Sequence, residues 1–542
     1  MTPTRRAMIG GLAAMAGAPL VAASYPESFA PDWASLAAGY RVPDWFRDAK
    51  FGIWSHWSAQ CVPEFGDWYG RLMYVQGDPA YAHHLAHYGH PSRTGFLEIE
   101  NLWKAEHWRP HELMRRYKRA GARYFMALGC HHDNLDAFAS RHHAWNTLRV
   151  GPRRDIVGSW SKAARAAGLK FGISNHSSHA WHWWQTAYGY DAEGPMRGVR
   201  YDAYRLTRAD GRGAWWQGLD PQELYTGRWF VPPEGIQGIA AMKAWHDAHD
   251  GQWLETVPPG SAGLAYARQW LARQQDLVER YRPDCVYLDD SGLPFGPYGL
   301  RAAAHYYNQA VRWHGQADVA LFAKKLAPRQ GLALVEDVER GFSDRLRAQP
   351  WQTDTCIGNW HYDRRLFDQR GYKSARLVVQ RLCDVVAKNG NLLLSIPIRA
   401  DGTHDSDELA ILDDLADWFA VHGEAIYGTR PWRIYGEGPT RPAAGNMNEG
   451  GAPAFTAADI RFTVTPGRDA ALHAFVLDAP RGEVRISALG VDRAGAVGRV
   501  RVLGGGELPF RQERDVLVIA SPPVPIARVP IVALRIEGEG LI

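Results

Sequence analysis

L-A-Y-A-R-Q-W-L-A-R-Q-Q-D-L-V-E-R-Y-R-P-D-C-V-Y-L-D-D, residues Leu264 to Asp290, holds one complete unit of the fold. Its first eighteen residues, Leu264 to Tyr281, space their apolar side chains three and four apart, the pattern of a helix with one buried face. Cys285 to Leu288 then form a short apolar run of strand length that stops at two adjacent carboxylates, Asp289 and Asp290. Outward from this unit the same order of strand, polar loop and amphipathic helix recurs from about residue 45 to 432. Further strands are expected at Phe51–Trp54, Tyr124–Leu128, Phe171–Ser174, Leu332–Val335, Thr353–Ile357 and Leu392–Ile396, and further helices at Trp108–Ala120, Ile156–Ala167 and Ala375–Lys388. Strands that alternate with helices need crossover connections and so a parallel sheet. Seven strands with one unaccounted for predict an α/β fold, a (β/α)8-type barrel over residues 40–432.

Beyond Pro431-Trp432 the texture changes. A Gly- and Pro-rich stretch, Gly436–Pro453, leads into short alternating segments separated by turn residues, which predict a small antiparallel β-sandwich over residues 440–542. The 542 residues exceed what one core usually supports, in keeping with a large and a small domain. Tyr188–Pro259, rich in Gly, Asp and Trp, is too long for a barrel loop and is expected to lid or wall the site.

With 62 basic and 58 acidic side chains the net charge is +4, and no Lys/Arg run of nucleic-acid type occurs, so a polyanionic partner is not indicated. The 23 Trp and 23 Tyr are the compositional anomaly, suited either to a densely packed core or to walls against which sugar rings lie. Five widely spaced cysteines without a C-x-x-C pair read as small buried hydrophobes. Residues 1–24 carry a twin arginine, a short apolar run and small residues near Ala22-Ala23, which predicts an export signal of twin-arginine type. The mature chain is then expected to be soluble, without a membrane span, and periplasmic or secreted.

In such a barrel the active site forms where the strands end. Those ends read Ser55-His56-Trp57, Cys130-His131-His132-Asp133, Asn175-His176, Asp289-Asp290, Glu336-Asp337-Val338-Glu339-Arg340 and Asn359-Trp360-His361-Tyr362. Imidazoles and indoles there offer hydrogen bonds to hydroxyls and flat faces to the C–H side of a sugar. Carboxylates on different strands can divide glycoside cleavage between nucleophile and acid/base. A strand-end Asp also serves as a helix cap. His131 and His132 with Asp133 could ligate a metal, but neighbours on an extended strand point to opposite faces, and no metal or organic cofactor is expected.

Five stretches, in order, resemble glycoside hydrolase family 29, the retaining α-L-fucosidases. They are Lys50–Trp57 with Phe65–Tyr69, His131–Phe138 with Trp145–Gly158, Gly168–Ile173, Tyr281–Asp289, and Lys388–Pro397 with His422–Trp432. The resemblance implies that Asp289 is the nucleophile and Asp290 a local hydrogen-bonding neighbour. It implies Glu339 as acid/base, with Glu336 as the alternative. It places His56, Asp67, Trp68, His131 and His132 on the sugar's hydroxyls, with Asp67 where the family more often has Glu, and Trp360 near the C5 methyl. His176 or His179 stands where the family has a tyrosine, and His176 is taken as the sugar-binding residue. The implied substrate is an oligosaccharide or glycoconjugate with terminal α-L-fucose. A related α-L-glycosidase, such as an α-L-galactosidase, or a non-catalytic carbohydrate-binding barrel are the competing readings.

Overall fold

A computed structural model describes residues 28–252 and 256–542, so the expected export signal lies outside the described residues. Eight parallel strands close a barrel in chain order: β1 Phe51–Ser55, β2 Tyr124–Cys130, β3 Lys170–Asn175, β4 Cys285–Ser291, β5 Ala320–Lys324, β6 Val335–Asp337, β7 Trp351–Cys356 and β8 Gly390–Ser395. Pairing of Phe51 with Leu392 completes the ring. Nearly every strand residue is buried, because barrel strands are covered by side chains inside and helices outside. At Gly52 the wall needs a glycine, since a Cβ would stand 2.4 Å from the Tyr124 ring.

The Leu264–Asp290 unit forms as its pattern dictates. The helix runs Gly260–Tyr281 and buries Tyr266, Ala267, Trp270, Arg273, Gln274, Leu277, Val278 and Tyr281, a stripe at three- and four-residue steps. Arg282 ends it in the left-handed conformation, and β4 follows. On β4 the four-residue step from Tyr287 to Ser291 is set against a two-residue step on β5, Phe322 to Lys324. This bulge falls on the segment that carries Asp289, where extra residues re-aim side chains.

The strand unaccounted for in the sequence is β5, followed in the fold by the strand expected at Leu332–Val335, which lies instead at Val335–Asp337 as β6. The helix before β5, Pro297–His314, has an apolar face built mainly of Ala and Tyr, a weak signal beside one of Leu and Val.

The C-terminal part consists of β9 Arg430–Glu437, β10 Ile460–Thr465, β11 Ala471–Val476, β12 Val484–Ile486, β13 Val497–Val502, β14 Phe510–Gln512, β15 Leu517–Ile519 and β16 Val532–Gly538. They make an antiparallel sheet β13-β16-β11-β10-β9 and a second, β12-β15-β14, around one apolar core. The larger sheet starts at Arg430, about ten residues before the boundary read from the sequence. It is tied to the barrel helix Ala375–Ala387 by the Asp384 carboxylate, 2.6 Å from Arg461 Nε and 2.7 Å from Lys388 Nζ. Among the described residues no helix is long and apolar enough to cross a membrane, and all five cysteines are buried and unpaired.

Candidate active site

A cavity of about 410 Å³ opens at the C-terminal ends of the barrel strands. Into it converge Trp54 and His56 from β1, His131 and His132 after β2, His176 after β3, Tyr287 and Asp289 from β4, Lys324 from β5, Glu339 and Arg340 after β6, Asp354 from β7, and Trp360. The loop after β1 adds Asp67, Trp68 and Leu72, and the segment joining the domains adds Met447. All the sequence-expected site residues except Glu336 therefore meet in one place. Glu336 lies on β6 itself, before the loop that carries Glu339, and is outside the cavity, with its carboxylate held by Arg347.

Asp289 and Asp290, both on β4, separate because successive strand residues point to opposite faces. Asp289 lines the cavity, whereas Asp290 turns behind the wall and accepts from Ser178 Oγ at 2.9 Å. Burial without a full countercharge pushes the Asp290 carboxyl up to about 6.

Asp289 is the most heavily partnered carboxylate of the cavity. Lys324 Nζ donates to Oδ1, His176 Nδ1 lies 3.0 Å from Oδ2, and His132 Nε2 lies 3.4 Å from the same oxygen. Burial alone would raise its pKa, but the Lys324 ammonium and the two imidazoles hold it well below the usual carboxylate range. On its other side Lys324 Nζ donates to Glu339 Oε2 at 2.6 Å. One buried ammonium thus joins the two carboxylates, whose nearer oxygens are no more than two hydrogen-bond lengths apart. Beneath them Tyr287 donates to Asp354 at 3.0 Å; burial and the Glu339 charge push the Asp354 carboxyl up to about 7.

The imidazoles stay neutral. Burial lowers the pKa of His56, His131, His132 and His176, that of His132 to about 3. Each is also oriented from behind or beside: His56 Nδ1 by Ser395 Oγ at 3.0 Å, His131 Nδ1 by the Gln60 amide at 2.7 Å. Asp67 works on the opposite wall by accepting the backbone N–H of Trp360 at 3.1 Å and of His361 at 2.8 Å. It thereby fixes the Trp360 ring, 4.8 Å from His56 and 5.8 Å from Trp54.

The adjacent histidines do not diverge as an extended strand would require. β2 ends at Cys130, a turn follows, and the rings of His131 and His132 lie 4.3 Å apart with both facing the cavity. Nitrogens of His131, His132 and His176, and separately ligand atoms of His132, His179 and Asp289, come within 4.8 Å of one another, close enough to hold a metal ion. His132 Nε2 and His176 Nδ1 are turned to Asp289, at 3.4 and 3.0 Å from Oδ2.

Tyr188–Pro259 was expected at the cavity, yet none of its described side chains lines it. Its buried polar groups grip the segment after β1 instead. Asp202 accepts from Tyr74 at 2.8 Å, and Asp191 accepts from Tyr81 at 2.8 Å. The excursion braces the loop that does wall the cavity. The tryptophans divide similarly: Trp54, Trp68 and Trp360 face the cavity, while Trp57, Trp103, Trp108 and Trp160 pack ring against ring in the core.

Lys324, Tyr287, Asp354 and Met447 were not picked out from sequence. The signal for Lys324 was present in Val319–Ala323, a five-residue apolar run ending in a charge, as the other strands do. Met447 lies in a Gly- and Pro-rich linker and has no such signal.

The family model for α-L-fucosidase matches residues 18–424, three quarters of the chain. The chain is 23% identical over 419 residues to the tissue α-L-fucosidase of Rattus norvegicus, covering 76% of this chain and 75% of that protein. It is 24% identical over 415 residues to the plasma α-L-fucosidase of Homo sapiens, covering 75% and 73%. In fold it is similar to the Thermotoga maritima α-fucosidase solved in complex with fucose (TM-score 0.65, 24% identity, 94% of this chain and 100% of that chain). It is also similar in fold to α-L-fucosidase isoenzyme 1 from Paenibacillus thiaminolyticus (TM-score 0.58, 17% identity, 91% and 97%). The chain, a glycoside hydrolase, belongs to the α-L-fucosidase family, glycoside hydrolase family 29.

Proposed function

We propose that this protein is an exported, retaining exo-α-L-fucosidase that releases terminal α-L-fucose from plant, algal or host-type oligosaccharides and glycoconjugates. The observation that carries the reading is the Lys324 ammonium between Asp289 and Glu339. It keeps two carboxylates close enough for double displacement, in which the groups stand about 5–5.5 Å apart.

In the first step an oxygen of Asp289 attacks the anomeric carbon. The electrons of the breaking C–O bond pass to the glycosidic oxygen, which takes a proton from Glu339; Glu339 enters this step as the neutral acid and leaves it as the carboxylate beside Lys324. The depressed Asp289 pKa keeps the attacking oxygen ionised at working pH. Esterification removes its charge and leaves the Glu339 carboxylate beside the Lys324 ammonium, and that carboxylate is the base the second step needs. Water then attacks the same carbon, Glu339 takes its proton, Asp289 leaves, and two inversions give net retention. The neutral imidazoles of His56, His131, His132 and His176 bind the hydroxyls, and Trp360 with Trp54 gives the apolar wall that suits a C5 methyl.

Hydrolysis of 4-nitrophenyl α-L-fucoside, followed by NMR from the first turnovers, tests the reading. α-L-Fucose should appear before mutarotation, and β-L-fucose as first product would overturn retention. Asp289→Gly should abolish turnover in a folded protein, and undiminished activity would remove Asp289 from the mechanism. The export signal is tested by fractionating cells that express the chain with and without residues 1–24; equal periplasmic yield would argue against it.

A further inference from the structure

The segment Gly445–Glu449, which leads from β9 towards β10, reaches back across the barrel mouth to the loop after β6. Phe342 and Gly445 exchange backbone hydrogen bonds of 3.2 and 3.1 Å. The N–H of Met447 donates to the carbonyl of Glu339 at 2.7 Å, and those of Asn448 and Glu449 to the carbonyl of Arg340 at 3.1 and 3.0 Å. Asn446 Oδ1 accepts the N–H of Glu339 at 2.8 Å. Both backbone groups of Glu339 are therefore held by the segment. The fit is close: a Cβ on Gly341 would stand 1.8 Å from the Gly445 carbonyl oxygen.

The contact is also strained. Arg340 has φ 42° and Met447 φ 55°, a left-handed conformation that costs a side-chain-bearing residue about 1–3 kcal/mol and persists only where the surroundings impose it. Glu449 imposes it, with Arg340 Nε 2.6 Å, Lys373 Nζ 2.7 Å, Arg381 2.7 Å and Thr355 Oγ1 2.7 Å from its carboxylate. What the strain achieves is to stand Met447, 61% exposed, beside Glu339 on the rim of the cavity that Leu72 also lines.

We infer that this interdomain segment is a working part of the active site: Asn446 positions Glu339, and Met447 forms, with Leu72 and Trp68, an apolar subsite for the leaving group. The inference rests on Glu339 as acid/base, since the group that protonates the glycosidic oxygen must stand on the leaving-group side. The ligand class that fits is an aglycone presenting an aromatic ring or the C–H face of a second sugar, with Arg340 available to its hydroxyls.

α-L-Fucosyl fluoride separates the cases, because fluoride leaves with little acid assistance and occupies no aglycone subsite. Asn446→Ala should lower kcat/KM for a fucosyl disaccharide about tenfold while leaving kcat/KM for the fluoride, which reports only the step that forms the glycosyl-enzyme, within about twofold. Met447→Ala removes no hydrogen bond of the segment and should raise KM for the disaccharide and aryl fucosides but not for the fluoride. Equal losses on fluoride and disaccharide in both variants, or no loss in either, would reduce the segment to a linker. Glu339→Ala is the control for the underlying reading. If it lowers kcat/KM for both substrates alike, the acid/base assignment has failed; if it lowers kcat/KM for the disaccharide far more than for the fluoride while Asn446→Ala does not discriminate, the positioning role alone has failed.

Discussion

Lys324 and Asp289 form a buried ion pair at the floor of the cavity, and the same ammonium reaches Glu339 at 2.6 Å. A lysine in this position answers an electrostatic problem. Two carboxylates sharing a water-poor site repel, and one would take a proton; the cation between them lets Asp289 stay ionised despite burial.

Lys324→Met should therefore weaken the nucleophile. With the ammonium gone, the largest influence opposing burial is lost, and the Asp289 pKa rises. The acid limb of kcat/KM should move to higher pH, with a loss of about 10²–10³-fold on its acid side, comparable to removing one preorganised charge-stabilising group. Lys324→Arg should keep much of the activity. An acid limb unmoved in Lys324→Met would show that the ion pair is structural.

The two glutamates of the β6 end make opposite predictions. Glu339→Ala should lower kcat/KM about 10²–10⁴-fold for substrates with poor leaving groups and far less for activated aryl fucosides, whose kcat falls because the glycosyl-enzyme has lost its base and is restored by azide, which needs none. Glu336→Ala breaks the pair with Arg347 at a partly exposed site outside the cavity and should leave kinetics near wild type. Azide rescue of Glu336→Ala in place of Glu339→Ala would reverse the assignment.

The barrel was legible because its strands are short apolar runs closed by polar residues, and the Leu264–Asp290 unit states that rule most clearly. Asp289, the histidines and Trp360 followed from their places at strand ends. β5 escaped although Val319–Ala323 is an apolar run ending in a charge like the others, and Lys324 was lost with it. Period alone does not tell which of Glu336 and Glu339 faces the cavity, since β6 ends at Asp337 and Glu339 lies in the loop beyond. Asn446, Met447 and Glu449 were invisible for a different reason. They reach the site by a contact spanning about a hundred residues of sequence, in a segment whose composition says only that it is a linker.

Trp360 and Trp54 are apolar bodies where the substrate's C5 substituent is proposed to lie. Replacing the methyl by the hydroxymethyl of L-galactose is a change worth about 1–3 kcal/mol in such a pocket. Wild type should prefer 4-nitrophenyl α-L-fucoside over the α-L-galactoside by about 10–200-fold in kcat/KM, and Trp360→Ala should narrow that ratio by lowering the fucoside value. A ratio unchanged in the variant would move the specificity wall elsewhere.

Glu449 gives a stability prediction with a defined sign. Burial would raise its carboxyl, but Arg381 and Lys373 with the Thr355 hydrogen bond hold it at about 2, below the ordinary 4.5. A carboxylate whose pKa is depressed on folding stabilises the native state fully above its unfolded pKa, and that contribution is lost as pH falls through the folded value. Glu449→Gln leaves Arg381, Lys373 and Arg340 without their shared anion and should cost about 3–5 kcal/mol at pH 7. Other titrating groups are common to both chains and cancel in the difference. The gap in thermal midpoint between wild type and Glu449→Gln should be full at pH 7 and clearly smaller at pH 3, inside the window between 4.5 and 2. A gap that stays constant or widens on acidification would mean that Glu449 is not held ionised by its cations, and the anchor proposed for the Glu339 segment would lose its electrostatic basis.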